Sequence, residues 1–129
     1  MAEKIVLADT SLLIDFFRKS DKSKSKLISL IREGYTFCIC VITEFEIYSE
    51  ATNQQLEYWQ KFLEKIDVIN LDQSAVKEAV IINNQLKVKR KQIDLADLFI
   101  AAIAVSNNLP VATLNKKHFE RIESLLLVE

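Results

Sequence analysis

Glycine, proline, histidine and cysteine are scarce in this 129-residue chain, and each scarcity closes off a chemistry. One glycine, Gly34, and one proline, Pro110, cannot build a phosphate-cradling loop, a dinucleotide fingerprint or a linker-rich chain, since each needs several. One histidine, His118, excludes a two-histidine zinc hydrolase, and two cysteines cannot make a four-cysteine zinc site. Any metal must therefore be held mostly by carboxylates. Cys38 and Cys40 lie in the apolar run Phe37-Cys38-Ile39-Cys40-Val41, so on a strand both face one side and read as small core hydrophobes. A disulfide across that spacing would strain an extended backbone, and no leader-like segment is evident, so a reducing cytoplasm is the expected compartment. Long apolar runs are missing as well; none approaches the roughly eighteen residues of a membrane span.

What is present is ordinary for a soluble domain: 50% hydrophobic and 27% charged residues. The length predicts a single domain over residues 1–129, large enough to bury a core without staples. A formal net charge of −1 argues against a general cationic coat. The cations are nevertheless clustered, as Arg18, Lys19, Lys22, Lys24 and Lys26 and again as Lys87, Lys89, Arg90 and Lys91. Such runs are usually solvated faces, with contact to phosphates as the alternative.

Short β-rich runs alternate with longer helical patterns, the signature of an α/β domain around a mostly parallel sheet. Strands are predicted at residues 4–8, 37–41, 67–71 and 111–114, with the tail 125–128 as an added edge strand. Helices are predicted from Thr10, with the stripe Leu12, Leu13, Phe16 and Phe17, then up to Gly34, from Thr43 onward, over 74–89 and over 94–106. The aromatic residues Tyr48, Tyr58, Trp59 and Phe62 read as core, or in part as a partner surface. From Leu95 to Val105 every residue except Asp97 is apolar, which predicts a helix buried nearly all round. An ionised Asp97 near its start is costly unless a cation or several donors compensate it.

Three acids stand at helix starts: Asp9, Glu46 and Asp97. Each has a structural reading as a cap: Asp9 at its own helix, Thr43 with Glu46 as a capping box, and Asp94 with Asp97 as an N-cap and first-turn acid. In a parallel sheet, however, helices that follow strands begin at the carboxyl edge, where α/β folds place their sites. Asp9, Glu46, Asp97, Asn115 and His118 all belong to that edge. Carboxylates gathered there would repel one another unless a hard divalent ion, Mg2+ or Mn2+, neutralised them.

The segments Leu7-Ala8-Asp9-Thr10-Ser11-Leu12-Leu13-Ile14-Asp15, Val41-Ile42-Thr43-Glu44-Phe45-Glu46, Asp97-Leu98-Phe99-Ile100-Ala101-Ala102 and Ala112-Thr113-Leu114-Asn115-Lys116-Lys117-His118-Phe119 resemble the motifs of PIN-domain ribonucleases. The likeness is nearest to the VapC-type toxins of toxin-antitoxin pairs and runs over nearly the whole chain. It implies a three-layer α/β/α fold with a mostly parallel sheet of four to five strands, and Asp9, Glu46 and Asp97 as metal-binding acids. Glu44 stands where the family usually has an apolar residue, so Glu46 is the better match. Where a fourth acid commonly precedes the phenylalanine of the last motif, this chain has His118, which bears on whether a second metal is held.

The resemblance implies metal-dependent endonucleolytic hydrolysis of RNA, including tRNA or other structured RNA as substrates, a homodimer, and inhibition by a cognate antitoxin. One ion held by Asp9 and Asp97, with Glu46 directly or through water, would activate a water and polarise the phosphate. Ser11 and Thr113 could orient that water or a carboxylate, and Asp94, Asn115 and His118 are supporting candidates. Arg18, Lys19, Lys22, Lys87, Lys89, Arg90 and Lys91 are candidate contacts to RNA phosphates. Two other readings stand beside this one. A degenerate PIN domain would bind RNA or protein without cutting, and a phosphate-accepting receiver domain would leave Glu46 and Asp97 without a role.

Overall fold

The computed structural model describes residues 4–128; residues 1–3 and 129, part of the single domain expected over 1–129, lie outside the described residues. In chain order the elements are β1 (Lys4–Ala8), α1 (Thr10–Arg18), α2 (Lys26–Arg32), β2 (Tyr35–Cys40), α3 (Val41–Glu50), α4 (Asn53–Leu63), β3 (Val68–Ile69), α5 (Gln73–Val88), α6 (Leu95–Ser106), β4 (Val111–Ala112) and α7 (Lys116–Phe119). A single 3-10 turn, Lys22–Lys24, bridges α1 and α2. Gly34, at φ +96°, closes α2 in a backbone conformation that side chains rarely adopt.

The four strands are parallel in the order β3-β2-β1-β4. The chain winds outward from β1 through β2 to β3 and then crosses back to lay β4 on the other side of β1. The reversal of winding therefore falls between β1 and β4, the position where open α/β sheets form a crevice at their carboxyl ends.

Strand pleating sorts the apolar residues into two cores. Leu7, Cys38, Cys40 and Val111 face one side with α5, α6 and Phe119, whereas Val6, Ala8, Ile39 and Ala112 face the other with α1, α2 and Trp59 of α4. Both thiols are free and buried, and burial pushes Cys38 up to about 11 and Cys40 upward too, so they act as packing residues. On the second face, Phe16 and Phe17 of α1 meet Tyr58, Trp59 and Phe62 of α4 with ring centroids 5.0–5.5 Å apart.

Several boundaries differ from the sequence reading. β2 ends at Cys40 because Val41 already begins α3, and β3 and β4 are only two residues long. The expected edge strand at 125–128 reduces to one parallel bridge, Val111 to Leu127, since β4 offers so short a partner. Buried residues of α6 run from Leu98 through Ala104, except for half-buried Phe99, but Leu95 at its first position is 64% exposed.

α6 approaches α5 and the sheet closely because Ala101, Ala102 and Ala104 carry small side chains and are buried completely. Ala101→Leu should overpack this interface and lower unfolding free energy by about 1–3 kcal/mol in urea titration. A stability equal to the parent would mean that the interface has slack.

Candidate active site

Asp9 leaves the carboxyl end of β1 as the N-cap of α1, and its side chain accepts from the Leu12 amide. It is 2% exposed, so the carboxylate must be satisfied by donors from the protein. The Ser11 hydroxyl donates to Oδ1 at 2.6 Å and the Thr113 hydroxyl donates to Oδ2 at 2.5 Å. Each hydroxyl in turn accepts a backbone amide from the segment after β4: Leu114 N–H to Ser11 at 3.0 Å and Asn115 N–H to Thr113 at 2.9 Å. The ends of β1 and β4 are thus tied together around one carboxylate. Burial raises the Asp9 pKa above the ordinary carboxyl value, the bonds from Ser11, Thr113 and Leu12 pull it back, and the charge of Asp97 adds to the rise.

Glu46 enters from α3. The Thr10 hydroxyl donates to Glu46 Oε1 at 2.6 Å and lies 3.3 Å from the Thr43 hydroxyl. Asp97 sits in the first turn of α6, where His118 Nδ1 donates to its Oδ2 at 3.1 Å; the Asp97 side chain is 19% exposed and that of His118 45%. Asp9, Glu46 and Asp97 share one open cavity of about 620 Å3 with Thr10, Ser11, Asp15, Arg18 and Lys19. A smaller, mostly apolar groove on the α1/α4 face holds no carboxylate and carries no such chemistry.

The geometry keeps the capping reading for Asp9, keeps Asp94 at the N-cap position of α6 with Asp97 in its first turn, and discards the capping box of Thr43 with Glu46. Thr43 is no cap: α3 starts two residues earlier, at a Cys40 cap with no side-chain bond, and Thr43 is wholly buried in its first turn. Glu46 consequently turns to Thr10. Asp94 occupies the cap position of α6 without a side-chain bond and lies outside the cavity. Asn115 lines the cavity, and His118 reaches it through Asp97. Lys22 is committed to the protein, donating to the Phe17 and Lys19 carbonyls at 2.6 and 2.9 Å while lying over the Phe16 and Phe17 rings. Lys89 pairs with Glu123, and Lys87 stands exposed on the last turn of α5. Arg18 and Lys19 do line the cavity, Lys19 with Asp15 at 3.5 Å. Thr10 and Asp15 escaped the sequence reading; the position of Thr10 between Asp9 and Ser11 was the available signal.

The donor set is oxygen, which suits a hard divalent cation. Among the described residues no three acidic, histidine or cysteine side chains converge as a ready-made cage. An ion in this cavity would therefore take part of its coordination from water, as magnesium ordinarily does. Asp9 Oδ2 accepts one hydrogen bond and keeps a lone pair for a cation.

A family model for the PIN domain matches residues 6–125. The chain is 36% identical over 122 residues to Ribonuclease VapC1 of Methanocaldococcus jannaschii, a match covering 94% of this chain and 83% of that protein. Among solved structures, a DNA-bound VapBC from Salmonella typhimurium is 26% identical, with a TM-score of 0.82 and 98% of each chain covered. The VapBC-1 structure from nontypeable Haemophilus influenzae superposes with a TM-score of 0.82 at 24% identity over 97% of each chain, a likeness of fold.

Because burial raises the Asp9 pKa, its ionised form is held at a cost that vanishes as pH falls through the folded-state value. The associated stability is complete below the ordinary carboxyl range and is lost as pH rises. In chelator at neutral pH, Asp9→Asn should raise the melting midpoint by about a few degrees, with the gain fading under acid. A gain independent of pH would contradict this origin.

Proposed function

The chain belongs to the PIN-domain family, and from that premise we propose that it is a divalent-metal-dependent endoribonuclease, the toxin of a toxin-antitoxin pair. The observation that carries the reading is the single cavity in which Asp9, Glu46 and Asp97 meet at the carboxyl edge. Asp9 and Asp97 would hold the ion, with Glu46 acting through water. Bound there, Mg2+ or Mn2+ supplies Lewis acidity toward the phosphate and lowers the pKa of a water. Ser11 and Thr113 hold the Asp9 carboxylate in one orientation, Thr10 does so for Glu46, and His118 for Asp97. Arg18 and Lys19 offset the repulsion between an acidic cavity and an anionic strand. Water adds to phosphorus, the ester P–O bond breaks, and the proton passes to the leaving oxygen.

The substrate class is RNA, with tRNA or another structured RNA as the candidate target, and the compartment is the cytoplasm. Among the described residues no helix is long and apolar enough to cross a membrane. The partner is an antitoxin. A groove of about 390 Å3 lined by Phe16, Leu27, Ile31, Tyr58 and Phe62, with Lys61 and Lys65 beside them, offers it an apolar seat edged by positive charge. A second copy of the chain would cover the exposed Val76, Val80 and Ile81 of α5, giving a homodimer. The bond from His118 to Asp97 favours one other reading, a degenerate domain that binds without cutting.

Cleavage of a pool of structured RNAs with manganese, magnesium or chelator decides between these. Asp97→Asn should lower the cleavage rate about a hundredfold or more and abolish the rise in melting midpoint that manganese gives the parent. Equal cleavage by parent and variant would reject the nuclease, and an equal metal-induced shift would reject Asp97 as a ligand. Trp59 is buried and packs on Tyr58 and Phe62, which line the groove, so titrating a co-encoded antitoxin should change its emission. Unchanged emission and mobility would remove the groove from the interface.

A further inference from the structure

Two more concavities lead away from the acidic cavity, the first adjoining it and the second adjoining the first, and together they make a path. At Leu114 and Asn115 the acidic cavity meets a second one of about 550 Å3, which includes Lys116, Lys117 and His118 in its wall. Lys117 is shared in turn with a third, of about 700 Å3, lined by Arg90, Lys91, Lys117, Glu120 and Arg121. We propose that the second and third cavities form a phosphate track carrying one arm of an RNA strand away from the acids, an inference that rests on the ribonuclease reading.

Charge supports it first. In a chain of net charge −1, the third cavity gathers, among the described residues, four cations against one carboxylate, Glu120. Lys89, close by in sequence, is already neutralised by Glu123, so the sequence cluster divides into a paired residue, Lys87 exposed outside the cavity, and the two that line it. Backbone geometry supports it second. Arg90 adopts φ +54°, a left-handed conformation that glycine takes without strain. The turn it makes is closed by the Lys91 amide donating to the Leu86 carbonyl at 2.9 Å, and Arg121 fixes its far side by donating to the Gln92 carbonyl at 3.1 Å. A long cationic side chain is thus presented from a position that local conformation would give to glycine.

The shape favours a linear polyanion over a compact one, because the cations follow successive cavities and do not converge on one point. Neither cavity is lined by phenylalanine, tyrosine or tryptophan, so the grip would be on the backbone through charge and would weaken steeply with salt. Lys117 is the hinge of the path, since it faces both cavities from the short helix α7.

The test compares the parent with a variant carrying Arg90→Gly, Lys91→Gln and Lys117→Gln, all outside the acidic cavity. A labelled RNA of about ten nucleotides is titrated in chelator across a salt series, and cleavage of that RNA and of a dinucleotide is followed in manganese. The variant should bind the oligonucleotide about tenfold more weakly, and its slope of log K against log salt should shrink by about 2, near 0.7 for each lost contact. Dinucleotide cleavage should be unchanged. Arg90→Gly alone should melt no lower than the parent, which separates lost contacts from lost folding. An unchanged salt slope, an equal loss of dinucleotide cleavage, or poly-glutamate binding as tight as RNA with the same slope would each overturn the track. If the parent cuts neither substrate, the ribonuclease reading fails, while the salt slope still decides whether the track binds RNA.

Discussion

The structure is organised around one buried carboxylate. Asp9 has almost no contact with water, and a carboxyl group in that position must find its donors inside the protein or lose its charge. Those donors are Ser11, the Leu12 amide and Thr113, and the last comes from beyond a different strand. Satisfying Asp9 therefore requires β4 to dock beside β1 in the register Leu7–Val111 and Ala8–Ala112. The placement of β4 brings the segment after it to the cavity, with Asn115 on its wall and His118 against Asp97. The reversal of strand order and the location of the site are one arrangement.

Around that anchor the edge is built so that structural and chemical duties coincide. Asp9 caps α1 and faces the cavity; Thr10 begins α1 and holds Glu46; His118 belongs to α7 and holds Asp97. Each acid is consequently fixed by a neighbour from another part of the chain. Such preorganisation suits a site that must present charge without rearranging. Gathering like charges in one cavity opposes folding, as the effect of Asp97 on Asp9 illustrates. The alanine-rich face of α6 and the aromatic packing between α1 and α4 support the elements that carry them.

Much of this was legible in the order of residues. β1, α1 and α6 follow from apolar periodicity, and the carboxyl-edge argument gathers Asp9, Glu46 and Asp97 without any distance being known. The reading failed where tertiary contacts outweigh local pattern. Thr43 and Glu46 have the spacing of a capping box, but α3 starts earlier because Val41 turns directly from β2, and Glu46 finds its donor in Thr10, 36 residues away. Lys22 looks like any cation in a basic run, and only the fold shows it spent on the end of α1. Lys89 and Arg90 are neighbours in sequence, yet one is paired and the other lines an open cavity. Local sequence carries propensity and face, whereas these partners are set by where the chain returns.

The separation between Asp9 and Thr113, 104 positions along the chain, also governs when the site comes into being. A ribosome makes Asp9 well before Thr113. Until that strand arrives, β1 has an open flank and Asp9 lacks one of its two hydroxyl donors. A chain made only through α5 lacks both Asp97 and Thr113, and so the finished acid cluster. The finished cluster therefore waits until the segment after β4 has been made and has docked.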